Sequence, residues 1–161
     1  MSKARYGGTT LSAGALLFVM CIAAYGNPTC PGWGKTVWGM SPMQVKQMYA
    51  ARAVSGQRLL LSDVDVSGHR CNALFLFTNN SLFRIEISRY NPGGLVLESD
   101  YAVYSSLAAK LTAKYGKPSS AAGQDLVWYV QPTKITLANR ADWQGTQTFL
   151  LIYQAVSSEN L

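Results

Sequence analysis

Residues 99–118 read SDYAVYSSLAAKLTAKYGKP, and the fold depends on what this stretch does. Tyr104, Leu107, Ala108, Leu111 and Tyr115 recur at three- and four-residue spacing, which predicts an amphipathic helix with these side chains on one face. Ser106, Lys110, Lys114 and Lys117 fall largely elsewhere. Ser99 or Asp100 can accept from the orphan N–H groups of the first turn, Gly116 can take the left-handed turn after Tyr115, and Pro118 cannot continue the helix. A helix with one apolar face needs a sheet to cover, and strand-like segments flank it on both sides.

Upstream, Ser41-Pro42-Met43-Gln44 is a helix start. Ser41 is the N-cap, Pro42 occupies the first helical position, and Gln44 can reach back to close a capping box. A short helix over residues 42–51 is expected, with Val45, Met48 and Tyr49 inward. Met40, Met43 and Met48 read as gap-fillers at helical spacing. Residues 50–57 read as a loop. Strands follow over residues 59–66, 71–78 and 82–90, the middle one carrying the run Ala73-Leu74-Phe75-Leu76-Phe77 of an interior strand. Asn79-Asn80 suits a tight hairpin turn because asparagine tolerates positive φ. Downstream of the long helix, strands are expected over residues 126–130, 135–139 and 146–156. The predicted class is therefore α+β: two helices packed on a mainly antiparallel sheet in the order α-βββ-α-βββ, with a weak pattern of internal duplication.

The first residues have a different character. Lys3 and Arg5 precede an apolar run over residues 11–22 and then the small-residue stretch Ala23-Ala24-Tyr25-Gly26, the order of a secretory signal peptide cleaved after Ala24 or Gly26. The apolar run is shorter than the roughly 20 residues of a spanning helix. Residues 27–161 then form a single domain with no transmembrane segment. The full chain carries a formal charge of +6, and losing Lys3 and Arg5 leaves about +4, spread without a run of adjacent basic residues. That distribution argues against nucleic acid as a partner. In an exported chain, Cys30 and Cys71 read as a disulfide pair, closing a loop of about 40 residues and contributing roughly 4 kcal/mol by chain entropy.

Little here amounts to catalytic chemistry. His69 and Cys71 lie two apart and offer the one thiol-and-base combination, the basis of an alternative reading as a thiol-dependent or hydrolytic enzyme. With Cys30 they also make three metal-ligand candidates without a fourth, so no metal or other cofactor is assigned. Asp63 and Asp65 read as a wet strand face. Tyr90, Tyr101, Trp143 and Tyr153, with Arg89 and Arg140, lie near turns or element ends and are the candidate interface residues, since aromatic rings and arginines anchor protein contacts.

Trp38-Gly39-Met40-Ser41-Pro42 with Val45, then Phe75 and Phe77, Leu107 and Leu111, Lys114-Tyr115-Gly116-Lys117-Pro118, Trp128 and residues 133–137 together resemble a set of small exported bacterial proteins of uncharacterised function. More loosely, the Gly-Met-Ser helix start ahead of antiparallel strands resembles the small outer-membrane assembly lipoprotein domain and the related fold of secreted β-lactamase-inhibitor proteins. Cys21 departs from the lipoprotein pattern, because bulky Phe18-Val19-Met20 precedes it. The resemblance implies a protein without an active site that binds a protein or cell-envelope component in the periplasm or outside the cell, in an inhibitor, immunity or assembly role. A periplasmic carrier of an apolar small molecule is the other non-catalytic alternative.

Overall fold

The computed structural model of the chain describes residues 32–54, 56–90, 100–123, 125–141 and 147–156. Its first helix, α1 (Pro42–Tyr49), starts on the chemistry of its own sequence. The Ser41 hydroxyl accepts from the Gln44 N–H at 3.4 Å, and the Ser41 N–H donates to Gln44 Oε1 at 2.8 Å, which closes the capping box. Ala50, at φ 50, ends the helix by donating its N–H to the Lys46 carbonyl.

Eight strands follow around one further helix: β1 (Arg52–Val54), β2 (Arg58–Val66), β3 (His69–Thr78), β4 (Ser81–Arg89), α2 (Asp100–Tyr115), β5 (Ser120–Ala122), β6 (Asp125–Val130), β7 (Thr133–Ala141) and β8 (Gln147–Ala155). All eight belong to one antiparallel sheet in the order β1-β2-β3-β4-β8-β7-β6-β5. This corrects the expected α+β arrangement of two helices layered on a sheet in the order α-βββ-α-βββ. The molecule is mostly sheet, and its helices are minor. Helix α1 has eight residues and buries only Val45. The strand count differs because β1 and β5, three residues each, are held by pairing with β2 and β6; segments so short carry no periodicity to read.

The strand order follows from α2. The sheet's far edge, β5, lies four strand spacings from β4, about 19 Å at the usual 4.8 Å. Sixteen helical residues span about 24 Å, enough to make that crossing over β8, β7 and β6, on which α2 chiefly packs. From β5 the chain meanders back and lays β8 beside β4. Two of the hairpins on the other half close through two left-handed residues, Ser67-Gly68 (φ 60 and 90) and Asn79-Asn80 (φ 47 and 63).

The pleat sorts the side chains. On β3, Cys71, Ala73, Phe75 and Phe77 are buried, while Asn72, Leu74 and Leu76 are half-buried on the opposite face. Register pairs Phe75 with Leu59 and Ile85, Ile85 with Tyr153, and Tyr153 with Ile135, so one row of buried residues crosses the sheet. Val45, Val103, Leu107 and Leu111 of the helices join that cluster. Among the described residues no helix covers the other face.

Candidate functional site

Helix α2 buries Val103, Leu107 and Leu111 at four-residue spacing, with Tyr104, Ala108 and Tyr115 partly buried beside them. The buried stripe is thus turned slightly from the one expected, and Lys110 and Lys114 are left on the flank that faces the opening described below.

Opposite that flank stands the segment ahead of α1. Its loop is closed by the Gly32 N–H donating to the Thr36 carbonyl at 2.8 Å, and by the Thr36 hydroxyl, which donates to the Trp33 carbonyl at 2.7 Å. Gly34 sits at φ +63, and a Cβ there would fall 2.5 Å from the Tyr49 hydroxyl, so both the turn and the close approach require glycine. The same hydroxyl accepts from the Lys35 N–H at 2.6 Å. Trp33 stacks on Tyr49 with ring centroids 6.1 Å apart, and Tyr49 stacks on Phe75 at 5.8 Å, which fastens the loop to the sheet. Farther along, Trp38 Nε1 donates to Thr133 Oγ1 at 2.8 Å. The Gly39 N–H donates to the Leu82 carbonyl, and the Leu82 N–H to the Met40 carbonyl.

Between this segment and α2 lies an open cleft of about 630 Å³. Ile135, Leu151 and Tyr153 form its floor, Leu107 and Leu111 one wall and Trp33 the other. The tip of the β2–β3 hairpin, Asp65 to Ser67, and the β6–β7 turn at Val130 and Gln131 close its ends. Lys110 Nζ donates to the Ser67 carbonyl and holds the hairpin tip to α2. A second tie runs from His69 Nε2 to Ser106 Oγ at 3.1 Å. Apolar side chains make up its interior, and Asp65, Lys110, Lys114 and Gln131 stand among its lining.

The residues singled out from the sequence divide among several places. Tyr153 is buried in the cleft floor, where desolvation raises the pKa of its hydroxyl. Arg89, Tyr90, Tyr101 and Arg140 gather at the end of the sheet where α2 begins. Arg89 pairs with Asp100, and Arg140 pairs with Asp125 through contacts of 2.5 and 2.7 Å. The Arg70 guanidinium lies 5.1 Å from the centre of the Tyr90 ring. Tyr101 is 63% exposed and stacks on Tyr104. Trp143 and Cys30 lie outside the described residues. Asp63 and Asp65 do not act as a pair. A register shift between Leu61 and Val64, with Asp63 at φ 60, gives Asp63 to Arg70, while Asp65 accepts from the Gly68 N–H at 3.1 Å. Sequence reading missed Trp33, Lys110 and Lys114 as site residues; the glycines around Trp33 were the available signal.

Cys71 is fully buried between Val64 and Arg89 in the register of its neighbours. Burial, with the Asp65 charge adding to it, pushes the thiol up to about 12, the reverse of what a thiolate nucleophile needs. The folded value lies above the ordinary 9.0, so the neutral thiol favours the fold. That contribution is whole below about pH 9 and is lost as pH rises towards 12. In protein kept reduced, the urea midpoint is expected to fall over that window, and less steeply in Cys71→Ala. Cys71 should also react with a disulfide reagent only once guanidinium has unfolded the chain. Rapid labelling of the folded protein would contradict this burial.

Among the described residues no group of three histidine, cysteine, aspartate or glutamate side chains is placed to hold a metal, and no helix is long and apolar enough to cross a membrane. No curated protein and no solved structure matches the chain. A sequence family does match, over residues 50–154, which run from the cap of α1 into β8 and take in every strand, α2 and the cleft floor, while the Trp33 wall lies outside. On that match the chain belongs to the TP0088 domain family.

Proposed function

We propose that this chain is an exported, non-catalytic binding module that takes an apolar small molecule into the cleft between α2 and the Trp33 loop. The observation that carries the reading is the cleft itself: about 630 Å³, floored by Ile135, Leu151 and Tyr153, and opened by the way α2 covers only one half of the sheet. The buried, proton-holding thiol of Cys71 supports the non-catalytic part. The leader-like residues 1–26 support export to the periplasm or beyond.

The neutral probe N-phenyl-1-naphthylamine tests the reading. Its fluorescence is expected to rise saturably with one site per chain. Val130→Trp places a large ring at the cleft's end from an exposed strand position, and should weaken binding roughly tenfold or more without loss of the folded state. Non-saturable binding, or binding indifferent to Val130→Trp, would remove the cleft as the site.

A second reading, a protein or envelope partner, is favoured by the exposed Tyr101 stacked on Tyr104 beside the Arg140–Asp125 pair. Aromatic side chains in such a setting are common interface anchors.

A further inference from the structure

Resting on the cleft reading, we propose that the ligand is an amphipathic anion whose apolar body lies on Ile135 and Leu151 and whose acidic end group is held at the mouth by Lys114 and Lys110. The argument is one of charge complementarity. Among the described residues, Asp63, Glu86, Asp100 and Asp125 are each taken by an arginine: Arg70, Arg84, Arg89 and Arg140. Lysines take none of them. Lys110 reaches only the Ser67 carbonyl, and Lys114 Nζ stands 4.9 Å from the centre of the Tyr115 ring. Both lysines line the cleft from successive turns of α2, and Asp65 is the one acidic residue of the lining. The mouth is therefore net positive above an apolar floor, and low-dielectric walls strengthen the field of such charges. An acidic end group would gain charge-assisted contacts with these exposed lysines that a neutral one lacks, and a cationic one would be repelled. An acidic group on an apolar stem satisfies both halves of the cleft.

The test uses three single-chain probes of equal length, decanoate, decanol and decylammonium, added below micelle concentrations to the full chain. Binding is followed by tryptophan emission, with Trp33→Phe identifying the cleft-wall signal. Decanoate is expected to bind roughly tenfold tighter than decanol, and decylammonium weakest. Lys114→Glu, at an exposed helix position, should reverse the order of decanoate and decylammonium while circular dichroism shows the same fold. Equal affinity for decanoate and decanol, or an order unmoved by Lys114→Glu, would overturn the anion inference and leave the cleft reading standing. No saturable binding of any probe would overturn both.

Discussion

Replacing Phe75 by alanine is expected to lower stability by about 3–5 kcal/mol, roughly a fifth or more of the about 5–15 kcal/mol that a domain typically holds. Phe75 is fully buried at the centre of the sheet, paired in register with Leu59 and Ile85. Tyr49 stacks on its ring, and Trp33 tilts against it with centroids 6.4 Å apart. Alanine would leave a cavity beneath two large rings tied into the loop's hydrogen bonds, so the site cannot easily collapse. The loss should extend beyond the strand: the Trp33 wall rests on Phe75, and probe binding in the cleft should weaken along with stability. Leu76→Ala, one residue on and half-buried on the opposite face, is expected to cost less than half as much. Urea unfolding of the two variants measures the difference. Equal losses would contradict the assignment of the two faces.

The second large effect is expected at Arg89. Its guanidinium and the Asp100 carboxylate form an ion pair with side chains only 16% and 11% exposed, joining the end of β4 to the first turn of α2. Arg89→Leu leaves that carboxylate little exposed and without its cation, at a cost of about 3–5 kcal/mol. Adding Asp100→Asn should restore much of the loss, because the charge that required a partner is then gone. A double-mutant cycle read by chemical denaturation gives the coupling. If the single and double variants are equally destabilised, the pair is a passive contact and α2 is anchored elsewhere.

Local chemistry was the legible part of this sequence. Ser41, Pro42 and Gln44 announced α1 because a capping box is contained within four residues. Gly116, at φ +83, ended α2 as its position before Lys117-Pro118 implied. Asn79-Asn80 marked its hairpin for the same reason. What depended on a distant partner was not legible. The pieces β1 and β5 exist only as additions to their neighbours. A register shift between Leu76 and Phe77 puts Leu82, and not Phe83 as strict alternation with Ile85 and Ile87 would have it, in the core. The bulge at Asp63 puts Leu61 and Val64, three residues apart, on the same core, a shift of face that depends on the pairing with β3. The reversed order of the last four strands follows from a crossover by α2, which no local pattern encodes.

The candidate site was read in fragments. Tyr153 reads as a candidate interface residue because it lies near the end of its strand, yet its spacing with Phe149 and Leu151 is that of one buried face. Lys110 and Lys114 were recognised as the wetter flank of α2, but what that flank faces depends on a hairpin tip and a loop remote in sequence. A cleft assembled from Trp33, Ser67, Leu111, Val130 and Tyr153 has no signature along the chain, since only the sheet order brings those residues together.

Amide chemical-shift mapping with N-phenyl-1-naphthylamine tests the central claim most directly, because it distinguishes the cleft from every other surface of the molecule. The account predicts that perturbed amides gather at Gly34, Val66, Leu111, Val130 and Ile135 and that the Trp33 indole shifts with them. Perturbations gathered instead at Leu74, Leu76 and Ile152 on the uncovered face, or around Tyr101, would contradict it.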